Sequence, residues 1–179
     1  MAAMAWMLLT IAPLNAQQAR PNEYQVKAAY LFNFGKFVKW PANVIDKTSF
    51  FAVCVLGQDP FGATLDSIMA GEELDGKHLV VKRISAAQDA DDCRILFISS
   101  NEESHLKEIL VTLDESGVLT VSDMPSFSRR GGMIQFVLDG DRVRFEINLS
   151  KAEASRLILS SELLKVATAV RRDEGPGIP

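Results

Sequence analysis

The sequence predicts a single α/β domain in which a mixed β-sheet of about six strands is sandwiched between helices and ends in an antiparallel C-terminal hairpin. Short apolar runs of strand length alternate with amphipathic helical stretches. A late segment alternates strictly between apolar and polar residues after the Asp139-Gly140 turn, as hairpin strands do. The 179 residues, 47% hydrophobic and 23% charged, are typical of one globular domain.

The first 22 residues are predicted to lie outside this domain. An uncharged apolar run over residues 4–12 precedes Pro13 and Ala16, which is the pattern of a secretory signal peptide over residues 1–16. No Lys or Arg precedes the run, and a buried N-terminal helix is the alternative. We assign residues 17–22 to a linker, 23–172 to the domain and 173–179 to a flexible tail.

The first helix is predicted over residues 23–40, with Asn22 as its cap and Pro41 as its stop. Its apolar stripe is wider than one core face needs, and Lys27, Lys36 and Lys39 mark the narrow wet side. We therefore expect the helix to bury a second face, against a partner or against more of its own chain.

The remaining elements follow from apolar periodicity. Strands are predicted over residues 50–56, 79–84, 93–98, 118–121, 133–138 and 142–149, and helices over 61–70, 102–114, 150–159 and 161–172. The run at 50–56 is apolar throughout, which indicates a strand buried on both faces. In the last strand Val143, Phe145 and Ile147 point one way, and the polar row of Arg142, Arg144, Glu146 and Asn148 points the other.

The cysteines and histidines indicate whether the protein has a disulfide or a metal site. Cys54 and Cys93 lie in predicted strands, and an even count in an exported protein suggests a disulfide, with two buried free thiols as the alternative. The two histidines are isolated and no Cys-x-x-Cys occurs, so we predict no metal site.

The net charge of −4 makes nucleic acid a poor candidate partner, because nucleic acid binding relies on clustered basic residues. After the signal no apolar run approaches spanning length, so we expect no direct membrane insertion.

No arrangement of residues predicts catalysis. The turn over residues 57–62 lies where phosphate loops occur, yet it lacks their glycine spacing and lysine, so we interpret it as an ordinary strand-to-helix turn. Asp59 and Asp123 follow strands, where open α/β sheets bind ligands, but neither has an obvious His or Lys companion. We predict a protein that is not an enzyme and needs no cofactor.

Two polar features suggest binding. Arg129 and Arg130, beside two glycines, form a possible anion-binding site, with a solvated turn as the alternative. The polar row of the last strand suggests a docking face, with a plain solvated strand face as the alternative.

Six segments, in order, resemble the YfiR-like family of exported bacterial proteins. They are YQVKAAYLFNFGKFVKWP (24–41), CVLGQDPFG (54–62), CRILFIS (93–99), LTVSD (119–123), GGMI (131–134) and VRFEINL (143–149). Each segment alone is weak, but together they run over about residues 23–170.

The resemblance implies a periplasmic repressor that binds the periplasmic sensor domain of an inner-membrane diguanylate cyclase and keeps it inactive. Repression lowers cyclic di-GMP and biofilm formation. The implied fold is an α/β sandwich that forms homodimers, and the family disulfide maps onto Cys54 and Cys93. Some relatives carry a second cysteine pair near the Gly-Gly strand; this chain has none, so redox gating through that pair cannot operate.

The resemblance also suggests which residues contact the partner. The family's contact surface includes the last strand, where Glu146 matches, and the nearby Ile134; we add Arg144 as a hypothesis. Reported ligand pockets use basic residues late in the chain, whereas residues 157–161 are apolar and hydroxylic, which argues against nucleotide binding. The competing hypothesis is a periplasmic small-ligand-sensing module without a cyclase partner.

Overall fold

The structure, a computed structural model, describes residues 22–45 and 47–172, without the side chain of Ile45. The expected signal peptide, the linker up to residue 21 and the expected tail lie outside the described residues. That division of the chain therefore stays a prediction.

The first helix, α1 (Glu23–Phe37), begins at the predicted cap. Asn22 Oδ1 accepts a hydrogen bond from the Tyr24 amide at 3.1 Å, and Gln25 Oε1 accepts one from the Asn22 amide at 2.8 Å. This reciprocal capping satisfies backbone donors that a helix start leaves unpaired. The helix ends three residues earlier than predicted, because Val38 and Lys39 form a short strand, β1, instead. This strand pairs with residues 158–159 near the C-terminus.

The remaining helices and strands follow in chain order. They are α2 (Ala42–Ile45), β2 (Phe50–Leu56), α3 (Ala63–Met69), β3 (Glu73–Leu74), β4 (Lys77–Ile84), β5 (Cys93–Ile98), α4 (Leu106–Thr112), β6 (Leu119–Ser122), β7 (Ile134–Asp139), β8 (Arg142–Asn148), α5 (Leu149–Ala154), β9 (Ile158–Leu159), α6 (Ser161–Val166) and β10 (Ala169–Arg171). Two 3-10 helices lie at Ala87–Ala90 and Ser100–His105.

One mixed sheet of eight strands organises the domain, in the order β10-β8-β7-β6-β5-β2-β4-β3. The pairs β7–β8 and β3–β4 are antiparallel and the other pairs of this sheet are parallel. The predicted class, a mixed sheet between helices with a C-terminal hairpin, is confirmed. The extra strands, β3 and β10, have two or three residues each, too few to show a period.

The sheet separates two apolar cores, as the uniformly apolar β2 predicts. Phe51, Val53 and Val55 face the core shared with α1. Cys54 and Leu56 face a second core beneath α4. Alternate side chains of one strand thus serve both cores.

The apolar excess of α1 is covered by the C-terminal part of the same chain. The fully buried Phe34 packs edge-on against Phe145 of β8, with ring centroids 5.2 Å apart. On another side, β9 pairs antiparallel with β1, and the Ser160 amide donates to the Phe37 carbonyl at 2.8 Å. The sequence left open whether a partner or the same chain covers the second apolar face of α1. In the structure, residues of the same chain pack against it.

Three predicted helix boundaries are wrong. The segment over 102–114 is part 3-10 helix, and α5 is capped by Asn148 and ends at Ala154. Arg156 there has a φ of 60°, a left-handed conformation that ends helices. The last helix, α6, is capped by Ser160 but ends at Val166 rather than at residue 172, and β10 then joins the sheet.

Cys54 and Cys93 form a disulfide between the adjacent parallel strands β2 and β5, with their Cα atoms 5.9 Å apart. Both cysteines are fully buried on the sheet face turned away from α1. The disulfide prediction is confirmed, and the alternative of two free thiols is wrong. Within residues 22–45 and 47–172, no helix has both the length and the apolar character to cross a membrane.

Replacing both cysteines by alanine is expected to lower the free energy of unfolding by about 3–4 kcal/mol, because the bond closes a loop of 39 residues in the unfolded chain. Urea denaturation of wild type and variant measures the loss. Dithiothreitol is the control: it should destabilise the wild type and leave the double variant unchanged. Equal stability of both proteins under oxidising conditions would contradict the prediction.

Candidate functional site: the open face of the C-terminal hairpin

The candidate docking face lies on the hairpin β7–β8, on the side of the sheet away from α1. Its side chains come from alternate positions of both strands: Arg142, Arg144 and Glu146 on β8, and Gln135 and Val137 on β7. The antiparallel register places Val137 beside Arg144 and Gln135 beside Glu146. We call these five residues the open face.

Arg144 is one of two cations of the open face, with Arg142, that have no partner within the described residues. Its side chain is half-buried, and it forms no hydrogen bond or ion pair with any residue in the described part of the chain. Its cross-strand neighbour Val137 is also half-buried. A guanidinium beside an apolar side chain is suited to a partner that offers a carboxylate and some apolar surface.

Glu146 is held by the chain itself. Its carboxylate lies 3.2 Å from Ser128 Oγ and accepts a long hydrogen bond, 3.4 Å, from Arg171 of β10. Strand β10 pairs parallel with β8 and sets Ala169 opposite Glu146. The carboxylate side chain is still 23% exposed, so it links the open face to the C-terminal strand.

Ile134 does not lie on the open face. It pairs with Ile147 across the hairpin, and its side chain is fully buried in the core shared with α1. The expectation that Ile134 lies on the docking surface is therefore corrected: successive side chains of a strand point to opposite faces, and Ile134 and Gln135 are successive. Gln135 instead accepts hydrogen bonds from the amide and hydroxyl of Ser128, at 3.1 and 3.2 Å.

The turn that carries Arg129 and Arg130 is shaped by its glycines. A Cβ on Gly132 would lie 2.1 Å from the ring of the buried Phe127, and Gly131 has a φ of 104°. Both arginines are exposed, and Arg130 Nη1 binds Glu103 Oε1 at 2.7 Å, whereas Arg129 has no ion pair within the described residues. The two arginines line one pocket of about 350 Å³.

Lys27 lies inside the protein, so the prediction that it marks the wet side of the helix is wrong. The residue is only 2% exposed, and its ammonium group pairs with Glu23 and, at 2.6 Å, with Asp123. Lys27 precedes the buried Leu31 and Phe34 by four and seven positions, a spacing that predicts the same helix face. The spacing therefore indicated that Lys27 is buried, but its charge favoured the opposite interpretation.

Asp123 also accepts a hydrogen bond from the Tyr24 hydroxyl at 3.0 Å. Partial burial of Tyr24, and then the charge and hydrogen bond of Asp123, raise the pKa of this phenol to about 12. Lys27 Nζ lies 4.4 Å from the centre of the Tyr24 ring. Tyr24, Lys27 and Asp123 thus fix the start of α1 to the end of β6.

Asp59, the other aspartate beyond a strand end, has a companion that the sequence did not predict. Arg83 Nε donates to it at 2.9 Å and also binds Asp66, which holds the pKa of Asp66 below its usual range. The turn over residues 57–62 is thereby tied to β4. Within the part of the chain that the structure describes, no three His, Cys, Asp or Glu side chains group as metal ligands would.

Comparison with protein families gives a match over residues 24–168 to the family described as YfiR/HmsC-like. No curated protein has significant sequence similarity to the chain.

Comparison with solved structures gives two partial matches. A conserved domain protein from Vibrio cholerae O1 biovar eltor strain N16961 has a TM-score of 0.56 and 14% identity, over 83% of this chain and 60% of that one. An ABC domain in complex with L-Trp from Streptococcus pneumonia has a TM-score of 0.49 and 10% identity, over 68% of this chain and 55% of that one. The chain spans about three fifths of the length of these structures.

Lys27→Met is expected to lower the free energy of unfolding by about 2–4 kcal/mol, because it leaves the poorly exposed carboxylate of Asp123 without its cation. Urea denaturation measures the change. Lys39→Met is the matched control, since Lys39 is exposed and should shift stability by less than about 0.5 kcal/mol. Equal effects of the two substitutions would contradict a structural role for Lys27.

Stability is expected to fall between about pH 10 and pH 12 in part through Tyr24. The folded-state pKa is raised to about 12 from 10, so the contribution is complete below pH 10 and is lost as pH rises through the folded value. Absorbance titration of the tyrosines measures this in the wild type and in Tyr24→Phe. The substitution should remove the ionisation step near pH 12. A Tyr24 titration near pH 10 in the folded protein would contradict this.

Proposed function

The chain belongs to the YfiR/HmsC-like family, and we propose that it is an exported repressor of a membrane-bound diguanylate cyclase. It binds the periplasmic sensor domain of that enzyme and lowers the output of cyclic di-GMP, and with it biofilm formation. The observation that carries the proposal is the family match over residues 24–168, which includes both the disulfide and the open face.

The family is one of periplasmic regulators of diguanylate cyclase signalling, not of enzymes. This supports action by binding. The disulfide supports export independently, because cytosolic thiol systems keep most such pairs reduced. A buried link between two central strands is suited to a protein that folds in an oxidising compartment.

The open face is the proposed contact surface. It presents the unpaired guanidinium of Arg144 and the partly exposed carboxylate of Glu146 two positions apart on one strand. Opposite charges at that spacing require complementary charges on the partner, which specifies register as well as affinity. The neighbouring Val137 adds apolar area that a partner would bury.

Repression works as a population shift. The repressor binds the inactive conformation of the sensor domain more tightly than the active one, and only this difference moves the equilibrium. A shift from nearly all active to nearly all inactive needs an affinity ratio of about 10⁴. The homodimer implied by the resemblance stays a prediction.

The alternative is a periplasmic module that senses a small ligand without a cyclase partner. A pocket between α4, α5 and the turn before β7 favours this second candidate. The two functions differ in what they predict for the membrane fraction: only the repressor should retain a cyclase.

Deletion of the gene is expected to raise cellular cyclic di-GMP and biofilm, and the tagged protein is expected to capture a diguanylate cyclase from solubilised membranes. Quantitative mass spectrometry measures both the nucleotide and the captured protein. Unchanged cyclic di-GMP in the deletion strain, with no cyclase captured, would contradict repression and leave the ligand-sensing function.

Arg144→Glu and Glu146→Lys are each expected to weaken binding to the cyclase more than tenfold and to restore cyclic di-GMP towards the deletion level. Lys165→Glu, on the exposed side of α6, is the charge-reversal control and should repress normally. Thermal unfolding is measured for each variant, because Glu146 also binds Ser128 and Arg171. Full repression by a stably folded Arg144→Glu protein would remove the open face as the contact surface.

A further inference from the structure

One pocket brings together basic side chains from three separate elements. It has a volume of about 350 Å³ and lies between α4, the turn before β7 and α5. Lys107 comes from α4, Arg129 and Arg130 from the turn, and Lys151 from α5, whereas the lining includes a single carboxylate, that of Asp114. This excess of positive charge occurs in a chain whose net charge is −4.

Three of the four cations have no counterion in the described part of the chain. The side chains of Lys107, Arg129 and Lys151 form no ion pair or hydrogen bond there, while Arg130 is already bound to Glu103 at 2.7 Å. Like charges grouped without counterions repel one another, and an anion among them removes that repulsion. Lys27 and Arg83, by contrast, each contact two carboxylates.

A side-chain hydroxyl provides a second, independent observation. Ser155, on the turn after α5, lines the same pocket with only 3% of its surface exposed. Its hydroxyl forms no hydrogen bond with any residue that the structure describes. The hydroxyl oxygen is not closed off from the pocket, so it is free to form a hydrogen bond with a ligand there.

The wall between the cations is apolar. Leu110, Leu113 and Met133 line it, and the absence of a side chain on Gly131 keeps the space between Leu110 and Lys151 open: an added Cβ would lie 3.6 Å from Leu110 Cδ1 and 3.9 Å from Lys151 Cε. Cations around an apolar surface suit a compact organic anion better than a simple inorganic ion.

We propose that this pocket binds a small organic anion with two or more carboxylate or phosphate groups, held by Lys107, Arg129 and Lys151 and by the hydroxyl of Ser155. This goes beyond the proposed repressor function and does not depend on it. It extends the anion site expected at Arg129 and Arg130: the turn provides one side of the site, and two helices distant in sequence provide the other.

Isothermal titration calorimetry on the purified protein at low salt tests the proposal, with citrate, fructose 1,6-bisphosphate and acetate as probes. We expect saturable one-to-one binding of citrate or fructose 1,6-bisphosphate, and at least tenfold weaker binding of acetate, which has a single charge. Whichever of the two multivalent probes binds more tightly distinguishes a carboxylate ligand from a phosphate ligand.

The triple variant Lys107→Gln, Arg129→Gln, Lys151→Gln should lose at least tenfold in affinity. The matched control is Lys36→Gln, Lys39→Gln, Lys165→Gln, which removes the same charge from exposed cations outside the pocket and should stay within about twofold of wild type. Ser155→Ala, a smaller change, should weaken binding about threefold to fivefold.

Absence of saturable binding by any probe would overturn the proposal. Equal weakening in the two triple variants would also overturn it, because the binding would then reflect net charge alone. Thermal unfolding of each variant shows whether it is folded, and Ser155→Ala keeps the test valid if the triple variant is not.

Discussion

The buried ammonium group of Lys27 is the interaction on which the placement of the first helix depends. It pairs with Asp123 at the end of the central strand β6 and with Glu23 on its own helix. Because a buried charge is tolerated only where it is compensated, α1 cannot slide along the sheet without leaving that charge unpaired. The apolar contacts of Phe34 with Phe145 hold the helix against the sheet, but apolar contacts are not directional. The ion pair therefore supplies the register, and apolar packing supplies most of the burial.

The C-terminal strands complete the domain around this helix. Strand β9 pairs with β1 at the end of α1, and β10 extends the sheet beside β8. As a result, Glu146 belongs both to the open face and to an internal network with Ser128 and Arg171. The same network lies next to the basic pocket, because Asn148 lines the pocket and donates to the Ser128 carbonyl at 2.8 Å. The proposed docking surface and the proposed anion site therefore both depend on one turn of the chain.

Much of the candidate site could be predicted from the sequence, and the predictions that were wrong have physical causes. The alternation along β8 correctly places Arg144 and Glu146 on one face, since side-chain direction in a strand follows from position alone. It could not reveal that Ser128 and Arg171, 18 and 25 positions from Glu146, would bind its carboxylate. The resemblance misplaces Ile134 because it indicates only a region of contact, whereas the burial of Ile134 depends on which face of the sheet α1 covers.

By itself the sequence determined the fold class, the family, the cap of α1 and the cysteines available for a disulfide, because local periodicity and short motifs carry that information. Only the tertiary structure decided the burial of Lys27, the joining of β9 and β10 to distant strands, and the meeting of Lys107, Arg129 and Lys151 at one pocket. Each of these depends on contacts between residues far apart in the chain. A two-residue strand has no period to detect, and a charged residue is buried only when the fold brings a counterion to it.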